Sequence, residues 1–500
     1  MKIYTKLGIL FLIVFASFAI FSCSGEQSSA AVVNELRFGL VTEPVTLDPL
    51  SASNTADGRS ILFNVFEGLV KPDSTGRLYP ALAESFTIEE NGLVYVFTLR
   101  PGVLFHDGTA LTQSDVIYSI NTARASNFPG LALVSDITAR GNNQIVIRLS
   151  AIDPDFLPFL TVAIVKEDNP NRETNPIGTG PFIVESYNPQ EALRLARNPN
   201  YWQSDLPLLD RVNIIFVANS DALITGLMGG NIEGAVLTGS MIRQLNTDEF
   251  DLLPWYSNTV QLLLLNNAQS PMDDLRVRQA VSYAIDIQGI IDTAFFGYGE
   301  PSGSPLIPAL TYVYNESLRD PYPRNIDRAR DLLAEAGYPN GLSLEIVVPS
   351  NYTMHVDTAQ VIVNQLSPAG INASIRLVDW GTWLTEVRQD RNYAASIISL
   401  DARDISPRSF LGRYHSANSG NFMNFSNAEY DRLYDEVLTE LNEARRVSLY
   451  RELQRVLSDN AASVYIQDIL GFWAFAKDSF GGVLNYPLYI NDFSTIYRRN

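Results

Sequence analysis

The chain has only three histidines, and one of them, His106, stands next to Asp107 in the stretch TLRPGVLFHDGTALTQSDVIYSI, residues 98–120. An imidazole beside a carboxylate can act as a general base or hold a metal ion. The other histidines, His355 and His415, have no HExxH or other metal-ligand spacing, and the sequence contains no GxSxG elbow and no CxxC pair. The sequence therefore predicts no catalytic centre, no cofactor and no metal site.

The segment around His106 is predicted to be a strand, a turn and a capped helix. Asp107 and Gly108 form a turn dipeptide, because aspartate can bond its own backbone and glycine accepts positive φ. Thr112 and Asp115 have the spacing of a capping box in front of a helix. We therefore expect His106 to order a loop.

The stretch Gly178-Thr179-Gly180-Pro181 is only faintly similar to a glycine-rich phosphate loop. The third glycine is missing, and Pro181 removes an amide donor that such a loop needs. We expect a turn between two segments here.

The amino terminus has the pattern of a secretory signal. Lys2 and Lys6 precede an apolar run over 7–21, which is too short to be a spanning helix. We expect residues 1–22 to be a signal peptide, so that the mature chain works outside the cytoplasm.

Cys23 is the only cysteine and follows the apolar run directly. It cannot make an internal disulfide. With small Ser22 before it and a polar stretch after it, it resembles the lipobox of bacterial lipoproteins, although bulky Phe21 departs from that pattern. We expect residues 23–34 to be a lipidated tether to a membrane; the alternative is a cleaved signal with a chance cysteine.

Composition limits the partners and the number of domains. The net charge of −19 argues against nucleic acid and anionic lipid surfaces as partners. A chain of 500 residues is too long for one core, so at least two lobes are expected.

Hydrophobic periodicity predicts a mixed α/β protein. One long helix is predicted from Ser270-Pro271 to about Phe296, and another over about 326–336 with Gly337 behind it. Two amphipathic helices follow in the region 426–460, with Asn442 as the cap between them. Alternation of apolar and polar residues predicts strands at 94–99, 144–149, 212–217, 343–348, 373–378 and 395–400.

Several segments together resemble the extracytoplasmic solute-binding proteins of ABC importers, in the large family 5 that takes up peptides, nickel complexes and some oligosaccharides. The similarity covers nearly all of the mature chain. The segments, in the family order, are EPVTLDPL (43–50), LFNVFEGLVKPDSTGRLYPALAESF (62–86), YVFTLRPGVLFHDGTALTQSDVIYSI (95–120), NPIGTGPF (175–182), NPNYW (198–202), DDLRVRQAVSYAID (273–286) and ARDLLAEAGYPNG (329–341).

The resemblance implies an α/β, two-lobed periplasmic-binding-protein-like fold of type II, cluster C, with an additional small domain. The two lobes would close over the ligand, and the stretch around His106 would lie in the additional domain, away from the cleft. The implied boundaries are 32–72, 180–265 and 481–500 for a discontinuous lobe I, 73–179 for the inserted domain, and 266–480 for lobe II.

The resemblance also points to a ligand-contacting segment in lobe II. In peptide-binding relatives a tryptophan and an aspartate precede a proline, and the aspartate pairs with the amino terminus of the peptide. Alignment of LDARDISPRSFL on Pro407 places Arg403 where the aspartate stands. Asp401 and Asp404 flank Arg403, so we expect an acid to reach the cleft from one of these positions.

Other residues at ligand-contacting positions of the family are expected to line the cleft. Trp380 and Trp383 supply aromatic rings, with core packing as the alternative for each. His355 stands where dipeptide binders place an arginine for the ligand's carboxylate, so a strict dipeptide clamp is not expected. The remaining candidates are Ser53, Asn54, Thr55 and Arg388.

Taken together, the sequence predicts a monomeric solute-binding lipoprotein on the outer side of a membrane, with no enzymatic activity. It would capture a small ligand, in the first place an oligopeptide, and deliver it to an ABC permease. Two alternatives stay open. The ligand could be an oligosaccharide or a chelated metal, or the lobes could serve as a signalling or adhesive surface module, in which case side chains would block the pocket.

The anchor can be tested by replacing Cys23 with serine. The variant loses the acylated sulfur and should move from the membrane fraction to the soluble fraction with its fold intact, because stable anchoring depends on the acyl chains. Detergent partitioning followed by circular dichroism measures both properties. Unchanged partitioning would refute the anchor.

Overall fold

The computed structural model of the chain describes residues 34–128, 130–402 and 404–499. The expected signal peptide, Cys23 and Arg403 lie outside the described residues. Within these described ranges, no helix is both long enough and apolar enough to cross a membrane.

The first lobe is built on a seven-stranded mixed sheet. Its central strand, Glu35–Leu40, is parallel to both of its neighbours and directs Leu36, Phe38 and Leu40 into the core. In sheet order the strands are Phe250–Trp255, Gly471–Ala476, Gly234–Thr238, Glu35–Leu40, Arg211–Phe216, Ala192–Arg197 and Phe182–Asn188.

The second lobe is built on a six-stranded mixed sheet with a hydrophobic core on each face. Side chains alternate between the faces of a strand, so Leu262 and Leu264 pack on one side while Leu263 and Leu265 pack on the other. In sheet order the strands are Glu300–Pro301, Ser463–Asp468, Thr259–Leu265, Ala395–Asp401, Leu342–Pro349 and Ile371–Val378.

An antiparallel four-stranded sheet forms the inserted domain. The predicted capping box is confirmed, because the Thr112 hydroxyl accepts from the backbone N–H of Asp115 and the Asp115 carboxylate accepts from the backbone N–H of Thr112. It starts the helix Gln113–Ala125. In sheet order the strands are Ala83–Glu89, Val94–Leu99, Gln144–Leu149 and Val134–Arg140.

Two short strand pairs and twelve α-helices complete the described part of the chain. The short pairs are Val70–Pro72 with Leu78–Pro80, and Phe480–Gly481 with Tyr497–Arg498. The helices are Ala56–Leu62, Gln113–Ala125, Ser220–Met228, Gly239–Ile242, Leu275–Ala284, Ile287–Ala294, Ile326–Glu335, Thr353–Leu366, Trp380–Trp383, Arg408–Leu411, Ala428–Val437 and Glu443–Asp459.

All six predicted strands are confirmed, most of them to within a residue or two at each end. The cap at Asn442 is also confirmed, since its side chain accepts from the backbone N–H of Arg445. The prediction of one helix from Ser270 to Phe296 is wrong. Ile285 is extended, and Asp286 accepts from the backbone N–H of Gly289, so a new cap starts a second helix.

The crossings between the lobes differ from the expected boundaries. Strand Thr259–Leu265, expected in lobe I, pairs within the second sheet, and strand Gly471–Ala476, expected in lobe II, pairs within the first. Sheet membership depends on which distant strand accepts each hydrogen bond, and periodicity along the chain carries no such information. The chain therefore crosses at 256–258 and again at 469–470.

The inserted domain is fixed to the first lobe by backbone and core contacts. Leu69 donates its backbone N–H to the carbonyl of Leu160 at 3.1 Å, and Ile164 donates to the carbonyl of Glu67 at 2.8 Å. The two units also share one hydrophobic cluster, in which Phe38 and Phe97 are both fully buried. The first lobe and the inserted domain thus form one packed body.

The inserted domain contacts the second lobe through side chains. Arg408 makes two hydrogen bonds to the buried carboxylate of Asp153, at 2.6 and 2.8 Å, and such a two-point pair fixes direction as well as distance. Next to it the hydroxyl of Tyr450 donates to Asp155. This contact borders the space between the two lobes.

His106 orders a loop, as the sequence predicts. The backbone N–H of Gly178 donates to its Nδ1 at 3.2 Å, so the proton must be on Nε2, which then donates to the carbonyl of Gly180 at 3.1 Å. Burial lowers the pKa of His106 to about 4, which keeps this tautomer neutral. The His106 ring therefore holds the segment 178–181 against the turn that contains His106.

His355 is a buried neutral residue of the second lobe. Its side chain is 2% exposed, and its Nδ1 lies 3.0 Å from Nε2 of Gln261. The amide nitrogen of Gln261 can only donate a hydrogen bond, so Nδ1 of His355 accepts it. Burial lowers the pKa of His355 to about 4. A neutral, enclosed imidazole does not replace an arginine as a partner for a carboxylate.

These two histidines predict acid sensitivity. In the unfolded chain a histidine has a pKa near 6.5, so between about pH 6.5 and 4 the unfolded state binds protons that the folded state excludes. The free energy of unfolding should therefore fall as pH falls through this window, by on the order of 3 kcal/mol for each histidine.

Replacing His355 with glutamine, which does not titrate, should flatten this pH dependence. Denaturant unfolding at pH 8, where histidine is neutral in both states, gives the baseline for each protein, and repeated unfolding down to pH 4.5 gives the slope. If the slope of the variant equals that of the natural chain, His355 is not the source of the acid sensitivity.

Candidate ligand-binding cleft

A cavity of about 360 Å³ lies where the first lobe, the inserted domain and the second lobe meet. Its size suits a small ligand, since pockets for such molecules commonly measure several hundred Å³. The lining residues come from four places: the segments 49–72 and 488–490 of the first lobe, 126–128 and 158–163 of the inserted domain, the crossing residue Ser257, and Thr259, Asp401, Ala402 and Asp404 of the second lobe.

The first-lobe wall is carried by the helix Ala56–Leu62. Thr55 starts the helix, because its hydroxyl accepts from the backbone N–H of Gly58. The helix and the residues behind it present Leu62, Phe63 and Phe66 to the cavity. These three side chains form an apolar face, and Arg59 of the same helix also lines the cavity.

A charged pair lies at the base of the cavity, and its polar atoms have protein partners. Nζ of Lys71 lies 2.7 Å from the buried carboxylate of Glu67. The same carboxylate accepts from the Tyr201 hydroxyl at 2.8 Å, from Nε1 of Trp202 at 2.9 Å and from the Thr179 hydroxyl at 3.3 Å. Buried charges need such partners to offset the loss of water. The pair stabilises the wall and leaves little polar surface for a ligand to satisfy.

The second lobe brings two acids to the opposite side of the cavity. Asp401 ends the strand Ala395–Asp401 and is exposed, whereas Asp404 is half-buried. Burial raises the pKa of Asp404, although the Ser409 hydroxyl and the Ser406 backbone donate hydrogen bonds to its carboxylate. A cationic group at this place would favour the charged form of the carboxylate.

The crossover holds the segment that carries these acids. Asn258 is fully buried, with φ of 57°, and its amide donates to the carbonyls of Ala402 at 3.4 Å and Asp404 at 2.8 Å. Asparagine adopts this left-handed conformation more readily than most residues. The acids therefore sit at a fixed place relative to the crossing.

The three candidates of the first lobe have different surroundings. Asn54 lines the cavity, and its backbone carbonyl accepts from Arg59 at 2.9 Å. Ser53 bonds the hydroxyl of Ser51 at 2.8 Å, and it is Ser51 that lines the cavity. Thr55 caps the helix, as described above. The structure thus brings Asn54 together with Asp401 and Asp404.

Trp380 and Trp383 stack on each other, with ring centroids 5.1 Å apart and planes 4° from parallel. Trp383 is 3% exposed and donates to the Ser396 hydroxyl, so it packs in the core. Trp380 is 37% exposed beside Tyr352. Neither ring lies on the described cavity wall.

Arg388 borders a separate surface depression with Phe422. Ligand contact by Trp380, Trp383 and Arg388 stays a prediction.

The aromatic residues that line the cavity were not predicted from the sequence. They are Phe63, Phe66, Phe128, Phe159 and Tyr489. The inserted domain reaches the cavity, because Phe128 and Phe159 belong to it. Each looks like an ordinary core residue in the sequence, and no spacing rule would single it out. The stretch 98–120 itself does not line the cavity.

In the ranges that the structure describes, no group of three or more histidine, cysteine, aspartate or glutamate side chains is arranged to bind a metal ion.

Comparisons with known proteins identify the family. A family model for bacterial extracellular solute-binding proteins, family 5, middle part, matches residues 77–422. The chain is 27% identical to heme-binding protein A of Haemophilus influenzae over 439 residues. This matched region covers 79% of each chain. The chain is 25% identical over 472 residues to the glutathione-binding protein GsiB of Shigella dysenteriae, covering 87% of this chain and 91% of the relative.

A solved structure has the same two-lobed fold. The unliganded open form of the periplasmic murein tripeptide binding protein MppA matches with a TM-score of 0.84 and 21% identity, over 94% of this chain and 98% of that one. All three are named as binding proteins. The chain therefore belongs to family 5 of the bacterial extracellular solute-binding proteins, and it is an extracytoplasmic binding protein of an ABC importer, not an enzyme.

Proposed function

We propose that this protein captures an oligopeptide and delivers it to an ABC permease. The observation that carries the proposal is the cavity in which Asp401 and Asp404 stand opposite a mainly apolar wall. A peptide has a cationic amino terminus that suits the acids, because hydrogen bonds to charged groups are the stronger ones. Its side chains suit the apolar wall. Glutathione, the ligand named for one relative, and the murein tripeptide named for the structural neighbour are both peptidic.

The acids are proposed to replace the family's aspartate. That residue is represented by Arg403 in this chain, with Asp401 and Asp404 beside it. A guanidinium next to an ammonium group in a cleft would repel it, so the amino terminus requires one of the flanking acids. We therefore propose Asn54, Asp401 and Asp404 as ligand contacts. Ser53, Thr55, Trp380, Trp383, Arg388 and Arg403 stay predicted contacts.

The protein is further proposed to be a monomeric lipoprotein held on the membrane through Cys23. The support is the sequence pattern before Cys23, a secretory signal followed by a lipobox-like site. An anchor would keep the binding protein within reach of its permease, because tethering raises the effective concentration of one partner near the other.

The proposal is tested first by mass spectrometry of whatever copurifies with the gently isolated protein. A peptide is the expected finding; heme, an oligosaccharide or a chelated metal would overturn the ligand class and leave the transport role in place. An empty protein that also binds no peptide would favour a signalling or adhesive role.

The role of the acids is tested by titrating Ala-Ala-Ala and its N-acetylated form into protein freed from copurifying ligand by unfolding and refolding. Acetylation removes the cationic amine, and the affinity should fall about tenfold or more, the scale of a hydrogen bond to a charged group. The loss should disappear when Asp401 and Asp404 are both replaced by asparagine.

Asp379→Asn serves as the control, because Asp379 caps a helix of the same lobe and does not line the cavity. It should keep the full effect of acetylation. Equal affinity of the natural chain for the two peptides would show that the acids do not hold an amine.

A further inference from the structure

We propose that the inserted domain builds a specificity pocket for a bulky apolar side chain of the ligand, formed by Phe128, Phe159 and Val162 together with Phe63 and Phe66 of the first lobe. The proposal rests on the proposed function in its choice of peptide probes. It gives the inserted domain a direct part in ligand selection.

The five apolar side chains line the same cavity from two sides. Phe63 and Phe66 follow the helix Ala56–Leu62, while Phe128 lies in a loop of the inserted domain and Phe159 in its 3-10 helix Leu157–Thr161. Phe63 and Phe128 are only partly buried, so they have surface left to cover. An apolar occupant that covers such faces gains free energy in proportion to the area removed from water.

Three polar side chains of this part of the wall, those of Lys71, Glu67 and Thr161, have partners inside the protein. The Lys71 and Glu67 pair is enclosed by hydrogen bonds from Tyr201 and Trp202. The Thr161 hydroxyl donates to the carbonyl of Pro158 at 2.8 Å. A ligand does not have to satisfy these groups, and water in the pocket finds few partners there. The chemistry of the wall thus favours an apolar group over a polar one.

Phe159 is held in place by contacts on its ring. A Cβ atom on Gly130 would lie 2.0 Å from ring carbons, so the ring packs directly on the Gly130 backbone. The guanidinium of Arg408 lies over the ring, 5.1 Å from its centroid, and is itself fixed by its two bonds to Asp153. An aromatic wall that is rigid before binding costs little ordering when a side chain enters.

The loop that follows Phe159 is equally well fixed. The backbone bonds of Leu160 with Leu69 and of Ile164 with Glu67 flank Val162, which is 9% exposed and lines the cavity. The pocket wall is therefore part of the packed body formed by the first lobe and the inserted domain. The acids of the second lobe line the same cavity, so a peptide held there can place its amine at the acids and a side chain in the pocket.

The test compares affinities of four peptides: Ala-Ala-Ala, Phe-Ala-Ala, Ala-Phe-Ala and Ala-Ala-Phe. In the natural chain one phenylalanine position should raise the affinity about ten- to hundredfold over Ala-Ala-Ala, the gain expected from burying a phenyl ring. In Phe159→Ala the peptide with phenylalanine at that position should bind with an affinity within about twofold of that of Ala-Ala-Ala. Val162→Phe fills the pocket and should lower the preference for phenylalanine as well.

Phe86→Ala is the matched control. Phe86 belongs to the inserted domain, and its ring centroid lies 5.6 Å from that of Phe97. It does not line the cavity, so replacing it should leave the preference for phenylalanine over alanine unchanged. Where the natural chain binds Ala-Ala-Ala, the pocket is overturned if no phenylalanine position raises the affinity above that of Ala-Ala-Ala, or if Phe159→Ala keeps the preference for phenylalanine.

A probe that is not a peptide separates this inference from the proposed function. Benzyl alcohol at millimolar concentration should give saturation-transfer signals from its ring with the natural chain and with Phe86→Ala. The signals should be at least severalfold weaker with Phe159→Ala and Val162→Phe. If none of the four peptides binds but this pattern appears, the peptide proposal fails and the pocket stands; equal signals from all four proteins overturn the pocket.

Discussion

The buried side chain of Asn258 is the contact on which the geometry of the cleft depends. It lies in the crossing between the two sheets and ties that crossing to the carbonyls of Ala402 and Asp404. A buried amide left without these acceptors would cost a substantial part of the protein's stability. The segment that carries the acids therefore has one place relative to the crossing at 256–258. If the lobes rotate against each other, the crossings at 256–258 and 469–470 form the hinge, because hinges absorb rotation in a few residues at the ends of strands.

The body on the other side of the hinge is larger than one lobe. Backbone hydrogen bonds and a common core join the inserted domain to the first lobe, and Glu67 lies at the junction with four side-chain partners. Rotation about the hinge would then move the second lobe against the body formed by the first lobe and the inserted domain. The aromatic wall of the cavity would move with that body. The contact of Arg408 with Asp153 brings the second lobe to the same wall. Ligand binding shifts such an equilibrium only through contacts that differ between its states.

Local sequence signals predicted much of the fold and little of the site. The strands, the capping box at Thr112 and the cap at Asn442 depend on residues within a few positions of each other, and all are present. The predicted single helix failed at Ile285, where a local cap at Asp286 outweighed the continuous apolar pattern. At the cavity, alignment with the family indicated Asn54, Asp401 and Asp404, but Phe128 and Phe159 carried no signal because their neighbours at the cavity are distant in sequence.

The sequence by itself determined the class of protein. The order of its segments identified the family, and the absence of nucleophile and metal spacings in the sequence pointed to binding without catalysis. Only the tertiary structure decided which strands belong to which lobe, that His106 and His355 are neutral, and that loops of the inserted domain reach the cavity. The reason is physical. Helix caps and strand periodicity arise from neighbours along the chain, whereas burial, protonation and the shape of a cavity arise from residues that meet only after folding.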